Sequence, residues 1–368
     1  MNEINIGKIL TQKRKEKGIT QDELGEYIGV SKASVSKWET AQSYPDITLI
    51  PKLAAYFNIT IDRLMDYKPQ MSKEEIAKVY FDFTVDFTQE PFDDVMNKVR
   101  ARVQKYYSCF PLILQMGILT INHYELAKSE NKLDIIKEAV TWFIRIKTQS
   151  ENNEIRKEAE YMEAICHIIL EEPQITLEIL GENIPNLYDN TQLLASAYTM
   201  TGNSEKAKET LELGIFNHLL CLTQNLLGFL PFAMDNMDLF EEISKRLFAI
   251  SEVFNLEKLH PSSMIGIYIT SAQNYALANN TEKTLEMLEK YADLVTSDIY
   301  PLKLHGDEFF DLIDPWLNDL ELGTSAPRDE KTIKASMINS VSQNPSFGAL
   351  TDNKRYNKII KKLSTLLA

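Results

Sequence analysis

Between residues 20 and 39 the chain opens a helix, ends it and opens another. That pattern restricts the fold more than any other feature of the sequence. Thr20 is followed three residues later by Glu23, the reciprocal pair that caps a helix start. Leu24, Tyr27 and Ile28 then recur at helical spacing. Gly29 stops the run after barely two turns, because glycine accepts the positive φ of a tight reversal. Ser31 caps the next helix, whose inward residues are Val35 and Trp38. Two short helices joined by Gly29-Val30-Ser31 make a helix-turn-helix. The second helix is left projecting, with Lys32, Ala33, Ser34, Ser36 and Lys37 on its free side. A helix of that width fits the major groove of DNA.

The flanking sequence completes a small bundle. Ile6, Ile9 and Leu10 share one helical face, and Gly18 ends that helix. Ser43 to Asp46, with Pro45, reads as a loop; Ile47 to Phe57 is a fourth helix and Ile61 to Leu64 begins a fifth. The run KRKEKGITQDELGEYIGVSKASVSKWETAQSYPDITLIPKLAAYFNITIDRLM resembles the phage-repressor-type helix-turn-helix, or XRE family, over about residues 5–66. The resemblance rests on Arg14, Gly18-Ile19-Thr20-Gln21, Leu24-Gly25, Gly29-Val30-Ser31, Val35-Ser36-Lys37-Trp38-Glu39 and Leu53-Ala54 with Phe57. It implies that Gln21 contacts a phosphate, that Lys32, Ala33 and Lys37 face base edges, and that Arg14 pairs with Glu39 inside the bundle. It also places Thr40 where family members often touch the DNA backbone. Thr40-Ala41 stands where the family usually has Gly or Asn-Gly.

Charge separates this head from the remainder. Residues 1–68 hold 10 basic and 9 acidic side chains, which leaves 29 basic and 44 acidic for residues 69–368 and places nearly all of the net charge of −14 there. An acidic body repels nucleic acid, so any DNA contact belongs to the near-neutral head. A chain of 368 residues suggests two or three domains. Only 13 Gly and 13 Pro occur, which disfavours collagen, long disordered linkers and turn-rich sandwiches. The three cysteines (Cys109, Cys166 and Cys221) form no C-x-x-C pair, so neither a zinc site nor a disulfide framework is expected. With no signal-peptide pattern at Met1-Asn2-Glu3-Ile4 and no long uninterrupted apolar run, a cytoplasmic protein that does not engage a membrane is expected.

Lys68-Pro69-Gln70-Met71-Ser72 marks the boundary, and Ser72 with Glu75 opens a long helix through Phe83. The short linker predicts coupled rather than freely tethered domains. Beyond it the sequence repeats itself. NYALANNTEKTLEML aligns with AYTMTGNSEKAKETL, CHIILEEPQITLEIL, HYELAKSENKLDIIK and PFAMDNMDLFEEISK. The aligned anchors Tyr124, His167, Tyr198, Phe232 and Tyr275 are 43, 31, 34 and 43 residues apart. Each unit reads helix, polar turn, helix, and such hairpins stack because one alone cannot bury its apolar face. Leu194, Tyr198, Gly202, Ala207 and Leu211 resemble the tetratricopeptide (TPR) repeat, although Ala195 stands where Gly is common and closing prolines are missing. Five to seven divergent repeats are expected. The TPR register puts Asn122, Tyr161, Gln192, Ser196, Thr199 and Gln273 on the concave side, with Asn225 adjacent, where amides suit a peptide backbone.

No phosphate-binding, dinucleotide or zinc-protease motif occurs, and His123, His167, His218, His260 and His305 are scattered, so no catalytic residue, metal or cofactor is expected. HGDEFFDLIDPWLNDLE reads as a helix burying Phe309, Phe310, Leu312, Ile313 and Trp316, with its acids in water. GTSAPRDE is a loop, and DNKRYNKIIKKLSTLLA is an amphipathic helix that caps the array or dimerises, capping being the default.

The expected fold is therefore all-α: a helix-turn-helix bundle in residues 1–68, then a right-handed TPR-like α-solenoid in residues 69–368 for ligand binding and dimerisation. That architecture resembles the RRNPP group of peptide-sensing bacterial regulators. The resemblance implies a homodimer on a palindromic DNA operator, controlled by a short signalling peptide in quorum sensing. A ligand-independent repressor, or a body that grips a partner protein, are the alternatives.

Overall fold

A computed structural model describes residues 5–181 and 190–367, and among them the structure is helices and connecting turns, with one isolated bridge between Lys303 and Ser325. The chain divides into two compact units. One comprises Met1–Ile76 with Phe92–Thr176, the other Ala77–Pro91 with Leu177–Ala368.

The first unit begins with the bundle α1 (Ile6–Glu16), α2 (Gln21–Ile28), α3 (Lys32–Glu39), α4 (Ile50–Tyr56) and α5 (Ile61–Met65). Its core is Ile6, Leu10, Leu24, Ile28, Val35, Trp38, Leu53, Ala54, Phe57 and Leu64. These residues stand at helical spacing, whereas Tyr27, expected on the same face as Leu24 and Ile28, is 65% exposed. At Gly7 a Cβ would lie 2.4 Å from the Trp38 carbonyl oxygen, so α1 approaches α3 as closely as only glycine allows.

The linker is seated rather than loose. Gln70 Nε2 donates to the Ser108 carbonyl at 3.0 Å, and the Met71 amide meets Cys109 Sγ at 3.5 Å. Those residues lie in the turn between α7 (Phe92–Lys105) and α8 (Phe110–His123). α8 packs on α9 (Lys132–Gln149), and α9 on α10 (Asn153–Ile169). Arg100 reaches Glu138 at 2.8 Å and Lys147 reaches the buried Glu163 at 2.6 Å, pinning α7 to α9 and α9 to α10.

α6 runs over Lys73–Gln89, past the expected end at Phe83. The Ser72–Glu75 capping pair is present. Ile76, Tyr80, Phe83 and Phe87 are all buried along one stripe, so the apolar face continues one turn further before Pro91.

After α11 (Pro173–Leu180) come α12 (Thr191–Met200), α13 (Ser204–Phe229), α14 (Met237–Val253), α15 (Leu256–Leu259), α16 (Pro261–Leu277) and α17 (Thr281–Val295). The repeat alignment has a backbone counterpart at three anchors. The carbonyls of His167, Tyr198 and Tyr275 accept from the amides five residues on, Glu172, Asn203 and Asn280, at 2.8, 2.8 and 2.9 Å. The residue between, Glu171, Gly202 or Asn279, has φ of 58°, 79° or 58°. This is one helix-ending turn used three times. Asn203 and Asn280 then cap the following helix.

Two anchors depart from that pattern. Tyr124 opens a 3-10 turn that closes two residues early, with the Ala127 amide on the Tyr124 carbonyl at 3.0 Å. Phe232 sits 83% exposed in a 3-10 segment that Pro231, with no N–H to give, helps to fix.

α18 (Asp314–Asn318), α19 (Glu330–Ser342) and α20 (Lys354–Leu363) close the second unit. The expected helix from Phe309 does not form: α18 is all that remains of it, Phe309 is exposed, and Phe310 and Ile313 are buried. Pro315 has no N–H and stands in the first turn of α18, so no helix runs through it from Phe309, and carboxylates hold the preceding residues in turns. Asp307 accepts from Phe309 and Phe310 at 2.9 and 3.0 Å, Asp314 from Gly306 at 2.7 Å, and Glu212 of α13 from Leu312 at 2.9 Å. The C-terminal helix α20 packs on α17, with Arg355 on Glu282 and Glu289 at 2.8 and 2.9 Å.

The expectation about apolar length needs one correction. Ser204–Ala233 is long and apolar enough to cross a membrane, yet it packs along α12 and α14 and buries Glu212, Phe216, Leu219 and Thr223.

Candidate nucleic-acid interface

The turn between α2 and α3 is built as its sequence requires. The Thr20 hydroxyl accepts from the Glu23 amide and Glu23 returns to the Thr20 amide, closing the capping box. Gly29 takes φ of 89°, which an L side chain rarely adopts, and lets the chain reverse. Ser31 then accepts from the Ser34 amide at 3.2 Å and starts α3.

α3 buries Val35 and Trp38 and turns its other side to water. Lys32, Ala33, Lys37 and Thr40 are exposed, and Ser34 and Ser36 are half-buried. With 3.6 residues per turn, Lys32, Ser36, Thr40, Ala33 and Lys37 fall within an arc of about 140°. Ser31 and Ser34 lie outside it. Their hydroxyls bond to each other at 3.0 Å, so they serve the helix start first. The Thr40 hydroxyl is turned back onto the Ser36 carbonyl at 2.8 Å.

Three helices are tied together beneath that face. Arg14 Nε and Nη2 of α1 meet the Glu39 carboxylate of α3 at 2.6 and 3.0 Å. Gln21 Nε2, at the start of α2, donates to the same carboxylate at 2.8 Å. Burial pushes the Glu39 carboxyl up, but the bonds from Arg14 and Gln21 and the Arg14 charge outweigh it and hold it below its ordinary range. The amide nitrogen of Gln21 is thus committed to Glu39, a role its spacing did not reveal. α3 ends on Ala41, with φ of 56°, and on a bond from the Gln42 amide to the Lys37 carbonyl at 2.8 Å. The turn that follows leaves Gln42, Ser43 and Tyr44 exposed beside the end of α3, three positions the sequence reading passed over. Their signal was an aromatic in an otherwise polar loop.

The positions expected to bind a ligand fall in both units. Asn122 on α8 and Tyr161 on α10 belong to the first, the former half-buried and the latter exposed. Gln192, Ser196 and Thr199 on α12, Asn225 on α13 and Gln273 on α16 belong to the second. Of these, Gln192 lines a cavity of about 360 Å³ between α12, α13 and α14, with Leu211, Ile215, His218, Leu222 and Phe254. The Thr199 hydroxyl is spent on the Ala195 carbonyl at 2.9 Å.

Residues 10–64 match the family model described as helix-turn-helix. The N-terminal segment is a domain of that kind. The HTH-type transcriptional activator BcrR of Enterococcus faecalis is 38% identical over 56 residues, which are 15% of this chain and 28% of that protein. The chain therefore spans under a third of the length of this relative. Among solved structures, PlcR of Bacillus thuringiensis, in complex with the peptide PapR7 and DNA, aligns over 79% of this chain and 94% of its own, at 13% identity and a TM-score of 0.29. The apo form of the competence regulator ComR from Streptococcus vestibularis aligns over 87% and 98%, at 12% identity and a TM-score of 0.22.

Proposed function

We propose that this chain is a sequence-specific DNA-binding transcriptional regulator of the cytoplasm. Residues 1–68 are its reading head, and the helical body of residues 69–368 takes a short signalling peptide and pairs two copies of the chain. The observation that carries this reading is α3: a capped, projecting helix that presents Lys32, Ser36 and Lys37 over one exposed arc while the Arg14–Glu39–Gln21 link fixes its base. Lys32 and Lys37 suit guanine edges or phosphates. A two-fold pair of such heads reads a palindrome.

Repeated helical hairpins and the cavity beside Gln192 support peptide binding by the body. A peptide acts on DNA affinity only if it binds one conformation better than another.

Charge reversal of Lys32 and Lys37 to Glu tests the head, by anisotropy titration on DNA selected from a random pool. Loss of binding is expected, with unchanged helical circular dichroism and, for the Ala variants, a salt slope smaller by about two. Unchanged binding would refute the assignment. For the body, Gln192→Ala and Gln273→Ala are expected to reduce the melting shift produced by bound peptide and to leave basal DNA affinity intact.

A further inference from the structure

Arg328 is a cation drawn largely out of water, and among the described residues no carboxylate balances it. Its Nη1 donates to Ser336 Oγ at 3.3 Å, and among the described residues it has no other hydrogen bond and no carboxylate partner. Ser336 offers only a lone pair, because its own proton goes to the Thr332 carbonyl at 2.9 Å. A guanidinium carries five N–H donors in a planar fork, so most of this one is unspent. Burial lowers its pKa from the ordinary value, the mark of a charge short of compensation. Buried charges are normally paired.

The guanidinium borders a cavity of about 340 Å³ in the second unit. The walls are mainly aliphatic, from Ile265, Leu302 and Ile333, and the remaining polar groups include Ser336 and Ser340. Ser340 gives its proton to the Met337 carbonyl at 2.9 Å. A neighbouring cavity of about 240 Å³ shares Leu302 and Pro327 with the first and has Lys303 in its wall. Two cations thus border adjoining cavities in a chain of net charge −14.

We propose that this cavity binds an aliphatic monocarboxylate, its two oxygens on the Arg328 fork and its alkyl body along Ile265, Leu302 and Ile333. A fork of parallel N–H groups matches a carboxylate in both spacing and charge. A phosphate dianion asks for more donors than one guanidinium and the Ser262 hydroxyl, because the Tyr291, Ser336 and Ser340 hydroxyls in the wall already give their protons within the protein. The volume stands at the small end of ligand cavities, which run from about 300 to 1,000 Å³, so it admits a small acid or one terminal residue. The same chemistry comes from a free acid or from the C-terminus of an apolar-ended peptide. The site shares no residue with the cavity beside Gln192, and it holds whether or not the protein reads DNA.

The test is a thermal melt with calorimetric titration of the full chain against sodium octanoate. Octanoate is expected to bind saturably and raise the melting temperature, while 1-octanol, octylamine and inorganic phosphate do not. Arg328→Met is expected to weaken octanoate at least tenfold, and without ligand to melt no lower than the parent, since an apolar side chain of similar length replaces an uncompensated charge. Should Arg328→Met fail to fold, Arg328→Lys keeps the charge, loses the fork and is expected to bind octanoate at least tenfold more weakly. An equal response to 1-octanol, a preference for phosphate, no response to octanoate, or undiminished binding by the variant that folds would each overturn the proposal. Gly-Gly-Leu and its C-terminal amide separate the sources. Tighter binding by the free tripeptide, lost on amidation, supports the site and makes a chain terminus its ligand. Tighter binding by octanoate supports it as a site for free acids.

Discussion

Replacing Glu39 by Ala removes the one carboxylate on which α1, α2 and α3 converge. Arg14 then keeps a single partner, the Ile19 carbonyl at 2.9 Å, and Gln21 loses its bond to Glu39. The Arg14 and Glu39 side chains are only 14% and 5% exposed, so little water is at hand to replace what is lost. Removing one partner of a buried pair costs about 3–5 kcal/mol. The residual access of Arg14 places this case near 3 kcal/mol, and a factor of ten per 1.4 kcal/mol makes that roughly a hundredfold. The assay is hydrogen exchange by mass spectrometry on the full chain, following peptides from α2 and α3. Their opening is expected to rise on the order of a hundredfold. Peptides from α9 and α10 serve as the internal standard and are expected to stay unchanged. Removing Arg14 as well is expected to recover part of the loss, because no unpaired charge remains. A rise of less than about threefold in the single variant would refute the idea that this carboxylate holds the bundle together. The acid side carries the same sign. Glu39 has its carboxyl below the ordinary value when folded, so its contribution is present above about pH 4.3 and is lost as pH falls through the depressed folded value.

Other outcomes follow from the same geometry. Ala41→Gly removes the cost of a left-handed alanine, about 1–2 kcal/mol, and adds back part of it through a freer unfolded chain. Slower exchange of α3 is expected, by about threefold, and faster exchange would contradict the strain at φ of 56°. His260 caps α16 by accepting the Ser263 amide on Nδ1 at 3.2 Å. Burial, with a lesser contribution from the charge on His305, holds its imidazole below the ordinary value. The unfolded chain therefore takes up a proton that the folded cap refuses, and stability is lost as pH falls below about 6.5. His260→Asn, which keeps a capping acceptor, is expected to flatten that loss in melts at pH 7.5 and 5.5. An equal loss in both proteins would clear His260 of the role.

What the sequence revealed was local in origin. Thr20, Glu23, Gly29 and Ser31 each bond to a group within four residues, so their positions alone announced two capped helices and the turn between them. The helix-ending turns at His167, Tyr198 and Tyr275 were legible for the same reason, since each is settled within five residues. The Arg14–Glu39 pair spans 25 positions and was accessible only through resemblance to a family. The segment around Phe309 misled because its apolar spacing hid the break that Pro315 imposes, and because Glu212 takes the Leu312 amide from 100 residues away. The tilted ring contact of Tyr27 with Tyr56, with Lys17 above the second ring at 3.7 Å, was hidden likewise. Arg328 was unreadable because a charge in a polar loop looks solvated until the loop is folded.

The linker behaves as a wrist with a splint rather than as a string. Gln70 and Met71 grip the turn between α7 and α8, so the five residues from Lys68 to Ser72 swing only as far as that turn gives way. A head carried on a string tolerates any distance between the two halves of a DNA site, and its grip weakens smoothly as they separate. A splinted head keeps one pitch and one reach. Under the proposed pairing of two heads, inserting half a helical turn of DNA between the half-sites is expected to silence binding abruptly, and cutting the Gln70 grip is expected to restore tolerance at the expense of selectivity.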